Sequence, residues 1–298
     1  MITVREIATL RAELAPDRRA GRSIGLVPTM GALHDGHLSL IRAAREQTDV
    51  VVVSLFVNPA QFDDADDLTR YPRDERRDAE LAAELGVAYL FAPAVEEIYP
   101  PGFATAVRVR GVSEGLEGTH RGVAHFDGVA TIVTKLLNIV GPDRAYFGRK
   151  DAQQVAVIER LVRDLSIPVR IEVCPTVRDG DGVALSSRNR LLGEGDRVRA
   201  RALRRALLKV RRVAAGGDRD AALIAGRAEL QRAGIEAEYL EIVDPTTMDP
   251  ADPAGGERMA LVAARIGPVR LIDNVPLRGD EPDSPAEVAT PIGASTES

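Results

Sequence analysis

The fold of this chain is indicated most clearly by one apolar stretch, Asp49-Val50-Val51-Val52-Val53-Ser54-Leu55-Phe56-Val57. Its apolar residues follow one another instead of alternating with polar ones. Strands of this kind are buried on both faces in parallel sheets that helices cover. Further apolar runs at 24–28, 87–91, 144–147 and 169–174 predict additional strands. Together these runs predict a parallel β-sheet.

Amphipathic segments lie between the apolar runs and predict helices at 38–47, 74–85, 128–140 and 152–165. Strands that alternate with helices are typical of an α/β fold with a doubly wound, Rossmann-like parallel sheet. Such sheets bind ligands beyond the carboxyl ends of their strands. We therefore expect the functional residues in the loops that follow the strands.

The pattern changes from about Asn189, and a domain boundary is predicted near 187–190. Two Arg- and Ala-rich helices and three strands are predicted beyond it, at 195–214, 218–233, 235–243, 259–264 and 269–272. The final residues are polar and rich in proline, with too little apolar area to offset the entropy of ordering them. The sequence thus predicts a Rossmann-like nucleotide- and substrate-binding domain, a smaller C-terminal α+β lid domain and a disordered tail, over 1–188, 189–278 and 279–298.

The composition excludes several classes of partner. The chain has 298 residues and a net charge of −6, so it lacks the positive field that gathers nucleic acid, and we expect no nucleic-acid partner. It has no run of about 18 consecutive apolar residues and no apolar stretch of a signal peptide near residue 1. We therefore expect a cytoplasmic protein with no membrane partner. Its single cysteine, Cys174, excludes an internal disulfide and is interpreted as a small buried residue.

The positions of the histidines and lysines, the two rarer basic residue types, point to candidate functional residues. All four histidines lie at or before His125, and Lys135, Lys150 and Lys209 are the only lysines among 39 basic residues. Since arginine and lysine differ in shape and hydration, a lysine in so arginine-rich a chain suggests a need for a compact ammonium.

The first candidate site directly follows the first predicted strand and reads Pro28-Thr29-Met30-Gly31-Ala32-Leu33-His34-Asp35-Gly36-His37. Its two glycines allow the backbone to approach a ligand, and a helix N-terminus here would bind an anion. The two imidazoles could stabilise negative charge that grows on a phosphate. A nucleotide site is therefore predicted. A metal site is the rival interpretation, with few nitrogen or sulfur ligands left to complete it, and two surface histidines in a loop are the plain structural alternative.

Three further segments carry groups suited to chemistry. Asn58 and Gln61 offer neutral donors and acceptors after the second strand, although Asn-Pro is also an ordinary turn. Phe147 to Gln154 combines Lys150 for phosphate with Asp151, which is alternatively only a helix N-cap. Val183 to Asn189 places two hydroxyls before Arg188, as a phosphate clamp or as a polar loop between domains.

In this order, the segments resemble the pantoate–β-alanine ligase family of the His-x-Gly-His nucleotidyltransferase superfamily. The resemblance runs from about Thr3 to Asn274 and includes Asp67-Leu68-Thr69-Arg70-Tyr71-Pro72-Arg73 and Leu185-Ser186-Ser187-Arg188-Asn189. It implies that pantoate and ATP form pantoyl adenylate and pyrophosphate, and that β-alanine then displaces AMP to give pantothenate. It also implies a homodimer, and Mg²⁺ that accompanies ATP and is held by phosphate oxygens and waters rather than by a protein metal site.

The resemblance also implies the site residues. His37, His34, Lys150 and Arg188 would be catalytic, with His37 as the proton donor. Gln61 and Gln154 would bind pantoate, and Gln61 would also border β-alanine. ATP would be bound by Met30, Gly31, Ala32, Leu33, His34, Asp35, Gly36, His37, Gly148, Arg149, Lys150, Asp151, Val177, Leu185, Ser186, Ser187 and Arg188.

Two positions depart from the family pattern. Arg149 stands where the family usually has Glu, and one extra residue separates Arg121 from His125. Two other functions are weighed against a ligase. A nucleotidyltransferase that stops at transfer would need cations at the acceptor phosphate, where this chain has the neutral Gln61 and Gln154. A non-catalytic nucleotide-binding protein would have no need of the complete set His34, His37 and Lys150.

Overall fold

Six parallel strands form the main sheet, as the apolar runs predicted. The computed structural model describes residues 1–62, 65–252 and 255–278, so the predicted tail lies outside the described residues. The strands are β1 (Ile2–Val4), β2 (Ile24–Thr29), β3 (Val50–Leu55), β4 (Tyr89–Phe91), β5 (Arg144–Gly148) and β6 (Arg170–Cys174), in the spatial order β1-β4-β3-β2-β5-β6.

Helices cover both faces of this sheet. They are α1 (Ile7–Arg19), α2 (Asp35–Gln47), α3 (Ala65–Arg70), α4 (Glu75–Glu84), α5 (Val95–Ile98), α6 (Glu117–Arg121), α7 (Val123–Val140) and α8 (Ala152–Asp164). The sequence did not predict β1 and α1. In α1 only Leu10 and Leu14 are buried and Pro16 lies inside the helix, so its apolar periodicity is weak.

The strand order reverses between β2 and β5. The chain runs outward from β2 through β3 to β4 and then returns to add β5 and β6 on the other side of β2. Gly25 lies opposite Arg144, and Leu26 lies opposite Ala145. The carboxyl ends of neighbouring strands open a crevice at such a switch point. This topology brings the segments after Thr29 and Gly148 side by side.

Helix α7 is long and apolar enough to cross a membrane, with a mean hydropathy of 1.3, but 67% of it is buried inside the fold. It is therefore a core helix. Gly128 allows its close packing: a Cβ atom there would lie 2.2 Å from the carbonyl oxygen of Ala60. The helix thus holds the 3₁₀ turn Pro59–Gln61 against the end of the sheet.

The C-terminal region contains α9 (Glu194–Ala214), α10 (Arg219–Arg232) and an antiparallel sheet of β7 (Ala237–Val243), β8 (Met259–Ile266) and β9 (Val269–Pro276). This arrangement confirms the predicted smaller α+β part. An apolar cluster that includes Phe126, Val157, Val243 and Leu261 joins this sheet to α7 and α8. The strand predicted at 269–272 extends four residues further in the structure. The prediction ended too early because Asp273 and Asn274 interrupt the apolar pattern, although both are buried.

Candidate active site

A cavity of about 260 Å³ opens at the switch point, between the carboxyl ends of the parallel strands and the C-terminal sheet. Most of the predicted site residues line it: Met30, His34, Gly36, His37, Gln61, Gly148, Lys150, Asp151, Gln154, Val177, Leu185, Ser186, Ser187 and Arg188. Gly31, Ala32, Leu33, Asp35 and Arg149 are not among the lining residues. The structure therefore brings the four sequence segments together at one cavity, and five of the predicted residues do not line it.

The two histidine rings lie against each other at the start of α2, with centroids 4.1 Å apart and planes tilted by 36°. The helix begins at Asp35, earlier than predicted, because His34 caps it. The backbone N–H of Gly36 donates to Nδ1 of His34 at 3.2 Å, and that of His34 donates to Nδ1 of His37 at 3.4 Å. Since Nδ1 accepts in both neutral rings, the proton of each lies on Nε2.

The environment of this pair disfavours the imidazolium form. Burial and the nearby Lys150 ammonium lower the pKa of His34. Burial, the neighbouring His34 and Lys150 lower the pKa of His37 to about 3. Both rings are therefore neutral near pH 7 and offer N–H donors without a net charge.

A buried carboxylate that sequence reasoning missed fixes the loop before the histidines. Asp78 of α4 is 2% exposed, and it accepts the backbone N–H groups of Ala32 and Leu33, each at 2.8 Å. Burial raises the pKa of Asp78. Gly31 and Ala32 have φ values of +87° and +53°, a left-handed backbone that favours glycine. Because Asp78 takes these two donors, they are not available to a ligand.

Gln61 is positioned by the residues around it. The Asn58 amide donates to Oε1 of Gln61 at 3.0 Å, and the Tyr99 hydroxyl donates to Oδ1 of Asn58 at 2.8 Å. Nδ1 of His125 lies 2.8 Å from the carbonyl oxygen of Gln61. Asn58 is only 1% exposed and also lines the cavity, where its amide holds Gln61 in place.

Adjacent glutamines on α8 both line the cavity but differ in their contacts. Gln153 is 4% exposed, accepts the backbone N–H of Glu117 at 2.9 Å, and donates to the carbonyl oxygens of Val112 and Gly115. It therefore holds the 112–117 segment. Gln154, the predicted substrate ligand, lines the cavity.

Cationic side chains, including Lys150 and Arg188, line the cavity. The Lys150 side chain is 20% exposed, and its Nζ lies 3.5 Å from Oδ1 of Asp151. Arg188 pairs with Asp67 at 2.9 Å and lies 5.9 Å from the ring centroid of Tyr71. Phosphate binding by Arg188 would compete with its pairing to Asp67.

A buried ion cluster closes the side of the cavity that faces the C-terminal sheet. Glu117 is 7% exposed and accepts two hydrogen bonds from Arg270 and one from Tyr239, each at 2.7 Å. Arg121 pairs with Glu117 at 3.1 Å one helical turn away and also lines the cavity. The Arg121 side chain therefore reaches the cavity despite the extra residue between Arg121 and His125.

This cluster makes stability depend on pH. Burial alone would raise the pKa of Glu117, but Arg270, Arg121 and Tyr239 lower it to about 2, from an ordinary value of 4.5. The folded state therefore gains stability from ionised Glu117 above about pH 4.5 and loses it as the pH falls toward 2.

We expect Glu117→Gln to lower the free energy of unfolding at pH 7 by about 3 kcal/mol, because it leaves Arg270 without its charged partner. The difference from the parent should shrink between pH 5 and pH 3. Urea denaturation at each pH measures it. Glu236→Gln changes an exposed carboxylate and serves as the control. A difference that stayed constant down to pH 3 would mean that ionised Glu117 contributes nothing.

The arrangement suits a reaction between a nucleotide and a polar acid. Two neutral N–H donors and Lys150 lie where phosphates would meet the switch point, and two glutamine amides face the rest of the cavity. Neutral amides bind hydroxyl and carboxylate groups without the strong preference for polyphosphate that a cation has. Among the described residues there is no cluster of three or more His, Cys, Asp or Glu side chains that could hold a metal ion.

Known proteins are similar to this chain in sequence and fold. A family model described as pantoate-beta-alanine ligase matches residues 2–276. A pantothenate synthetase from Cereibacter sphaeroides is 52% identical over 276 residues, 92% of this chain and 99% of that protein. One from Moorella thermoacetica is 50% identical over 280 residues, 93% of this chain and 99% of that protein.

Solved structures agree with these matches. The crystal structure of pantothenate synthetase from Thermus thermophilus has a TM-score of 0.88 and 47% identity, with 94% of this chain and 100% of that chain covered. Pantoate-beta-alanine ligase from Francisella tularensis, complexed with beta-gamma ATP and beta-alanine, has a TM-score of 0.79 and 35% identity, with 95% and 100% covered.

Proposed function

Because this chain belongs to the pantoate–β-alanine ligase family, we propose that the switch-point cavity is where it activates pantoate with ATP and transfers it to β-alanine. The overall reaction of the enzyme converts (R)-pantoate, β-alanine and ATP into (R)-pantothenate, AMP and pyrophosphate. The observation that carries the assignment is the adjacency of His34, His37 and Lys150 to the neutral amides Gln61 and Gln154 in one cavity.

The first step joins pantoate to the nucleotide. A carboxylate oxygen of pantoate attacks the α-phosphorus of ATP, and the bond from that phosphorus to pyrophosphate breaks. Negative charge grows on the phosphate oxygens, where the Nε2–H groups of His34 and His37 donate and the ammonium of Lys150 attracts. Since the pKa of His37 is about 3, His37 acts as a hydrogen-bond donor and keeps its proton.

In the second step, the β-alanine amine attacks the acyl carbon of pantoyl adenylate. The bond from that carbon to the AMP oxygen breaks, and the nitrogen releases a proton to solvent. Gln61 and Gln154 hold the pantoyl group, and Gln61 borders the amine. Arg188 exchanges Asp67 for phosphate when ATP binds, which brings Leu185, Ser186 and Ser187 over the nucleotide as a clamp.

The remaining ATP residues are assigned by their place around the cavity. Met30, Gly36, Gly148, Asp151 and Val177 line it and would contact the nucleotide. Gly31, Ala32 and Leu33 would shape the loop that Asp78 holds. Asp35 and Arg149 would flank the residues that contact the nucleotide.

Mg²⁺ would accompany ATP in this cavity. The described residues provide no cluster of metal-ligating side chains, which suits an ion held by phosphate oxygens and waters, with Asp151 as the nearby carboxylate. When bound, the ion would neutralise charge on the departing pyrophosphate. Asp151 would then orient one of the waters around it.

The organisation of the chain carries three further proposals. Residues 189–278 form a lid domain on the Rossmann-like domain 1–188, and the protein works in the cytoplasm without nucleic-acid or membrane partners. It is also a homodimer.

Residues 103–110 belong to no helix or strand of the described chain, and most of them are exposed. The backbone of a second copy can pair with such an exposed segment. We expect Thr105→Pro to convert the dimer to a monomer, because proline removes a backbone donor and blocks pairing. Light scattering after gel filtration measures the mass. A parent protein that is monomeric, or a Thr105→Pro variant that stays dimeric at micromolar concentration, contradicts pairing through this segment.

Steady-state formation of AMP tests the function. The enzyme is incubated with ATP and Mg²⁺ together with pantoate, β-alanine, both or neither. Continuous AMP release should require both acids. Release with pantoate alone would indicate hydrolysis of the adenylate, and no release under any condition would favour a non-catalytic nucleotide-binding protein.

Gln154→Ala should weaken pantoate binding about tenfold or more and leave ATP binding nearly unchanged, since the lost amide binds hydroxyl and carboxylate groups. Isothermal titration with each ligand measures the two affinities. Gln231→Ala makes the same substitution on the exposed surface of α10 and should change neither. An equal loss for both ligands contradicts the assignment of Gln154 to pantoate.

A further inference from the structure

Two polar residues of β9 are buried between the C-terminal sheet and the active-site cavity. Asp273 is 4% exposed and Asn274 is 1% exposed. A buried polar group is costly unless it is hydrogen-bonded. Their partners therefore show what these residues do.

Asn274 holds the turn that carries Lys150. Its Nδ2 donates to the carbonyl oxygen of Arg149 at 2.8 Å and to that of Lys150 at 2.9 Å. Only the NH₂ group of the amide can donate, so two carbonyl acceptors define its orientation. The two carbonyls belong to the 3₁₀ turn Arg149–Asp151, which joins β5 to α8.

Asn274 is itself held by a buried ion pair. Asp273 accepts from both terminal nitrogens of Arg178, at 2.7 and 2.9 Å, and the side chains are 3% and 9% exposed. Asp273 also accepts the backbone N–H of Asn274 at 2.8 Å, and Arg178 donates to the carbonyl oxygen of Asn274 at 3.3 Å. Bidentate pairs of this kind fix geometry as well as charge.

The Lys150 side chain has little support of its own. Across the residues that the structure describes, its Nζ makes one polar contact, at 3.5 Å to Asp151, which is too long for a strong hydrogen bond. The place of the ammonium in the cavity is therefore set mainly by the backbone of its turn. That backbone is bonded to Asn274.

We propose that Asn274 is a positioning residue for Lys150 and makes the adenylation step depend on the contact between the C-terminal sheet and the main sheet. The inference rests on the proposed role of Lys150. Loss of the Asn274 amide would let the turn shift, and the ammonium would no longer lie where charge grows on the phosphates. The rate of adenylation would fall, whereas pantoate binding by Gln61 and Gln154 would change little.

A double-mutant cycle tests this coupling. Single-turnover adenylation is measured for the parent, Asn274→Ala, Lys150→Ala and the double variant, with enzyme in excess over ATP. Asn274→Ala should slow the step about 10- to 100-fold, the scale of a misplacement of about 1 Å, with the half-saturating pantoate concentration within about threefold of the parent. In the Lys150→Ala background the same substitution should cost less than about threefold, because residues that act as a unit are not additive.

Two further variants complete the experiment, one in case Asn274→Ala does not fold and one as a control. Asn274→Ser retains one hydroxyl donor near the two carbonyls, should lie between the parent and Asn274→Ala, and replaces the alanine in the cycle if that variant does not fold. Asn138 donates to the carbonyl oxygen of Thr134 on an exposed face, so Asn138→Ala is the matched control and should have no effect.

Each contrary outcome has a distinct meaning. Additive losses in the cycle, or an Asn274→Ala rate within about threefold of the parent, overturn the positioning role and leave the proposed function intact. A Lys150→Ala variant that adenylates at the parent rate overturns the role of Lys150 and with it that of Asn274. A large rise in the half-saturating pantoate concentration in Asn274→Ala would indicate a general disturbance of the cavity and would likewise overturn the specific positioning role.

Discussion

Lys150→Arg should slow adenylation about 100-fold, equivalent to about 2.7 kcal/mol of lost transition-state stabilisation. Arginine supplies nearly all other basic residues of the chain, so a lysine at this position suggests that a compact ammonium is required. The side chain is 20% exposed in a cavity that also holds the two histidines. A planar guanidinium is larger and donates in a fixed fork, which cannot reproduce the point charge of an ammonium.

Single-turnover kinetics of each half-reaction measure this effect. The loss should fall on adenylation, and pre-formed pantoyl adenylate should react with β-alanine at nearly the parent rate. Lys135→Arg is the matched control: its ammonium lies 4.7 Å from the ring centroid of Phe103, a contact that arginine also makes. A Lys150→Arg variant within a few-fold of the parent would show that any positive charge suffices.

His37→Ala should lower the adenylation rate about 10²- to 10³-fold, the usual cost of removing one donor from a site of growing negative charge. The pKa of His37, lowered to about 3, keeps the ring neutral from pH 5 to pH 9. The Nε2–H donor is therefore present in the same neutral ring across this range, and no inflection from His37 is expected near pH 6.5.

The pH profile separates this role from proton donation by an imidazolium. The single-turnover rate is measured from pH 5 to pH 9 for the parent, His37→Ala and His120→Ala. His120 makes a distant 3.7 Å contact with Glu238 and is not among the residues that line the cavity, so its loss should leave the rate unchanged. A change of the parent rate with an apparent pKa near 6.5 that is absent in His37→Ala would mean that the charged ring transfers a proton. That result would contradict a role for His37 as a neutral donor.

The main sheet was predictable because its strands carry strong local patterns. The run after Asp49 is apolar on both faces, and β3 occupies a central position with parallel neighbours on both sides. Edge strand β1 contains only Ile2–Val4 and buries one residue, so its pairing with β4 is decided by tertiary contacts. The end of β9 was missed for the opposite reason, because Asp273 and Asn274 are polar residues at buried positions.

The site was predictable where residues cluster along the chain. The segments around His34, Lys150 and Arg188 were found from their local composition and the topology of a doubly wound sheet. Three residues that reach the cavity or its loops come from elements distant in the chain: Asp78, Tyr239 and Asn274. Their hydrogen bonds cannot be predicted from the sequence around them. One signal was available for Asp78: it is a charged residue four positions before Ala82 on the buried face of α4.

In the reaction proposed for this cavity, the pantoate carboxylate attacks the α-phosphorus of ATP. The most direct test uses pantoate labelled with ¹⁸O in its carboxylate, together with ATP, Mg²⁺ and β-alanine, and mass spectrometry of the products. Our account predicts that one ¹⁸O atom from each pantoate appears in AMP and none in pyrophosphate. Unlabelled AMP, or label in pyrophosphate, would contradict activation of pantoate as the adenylate.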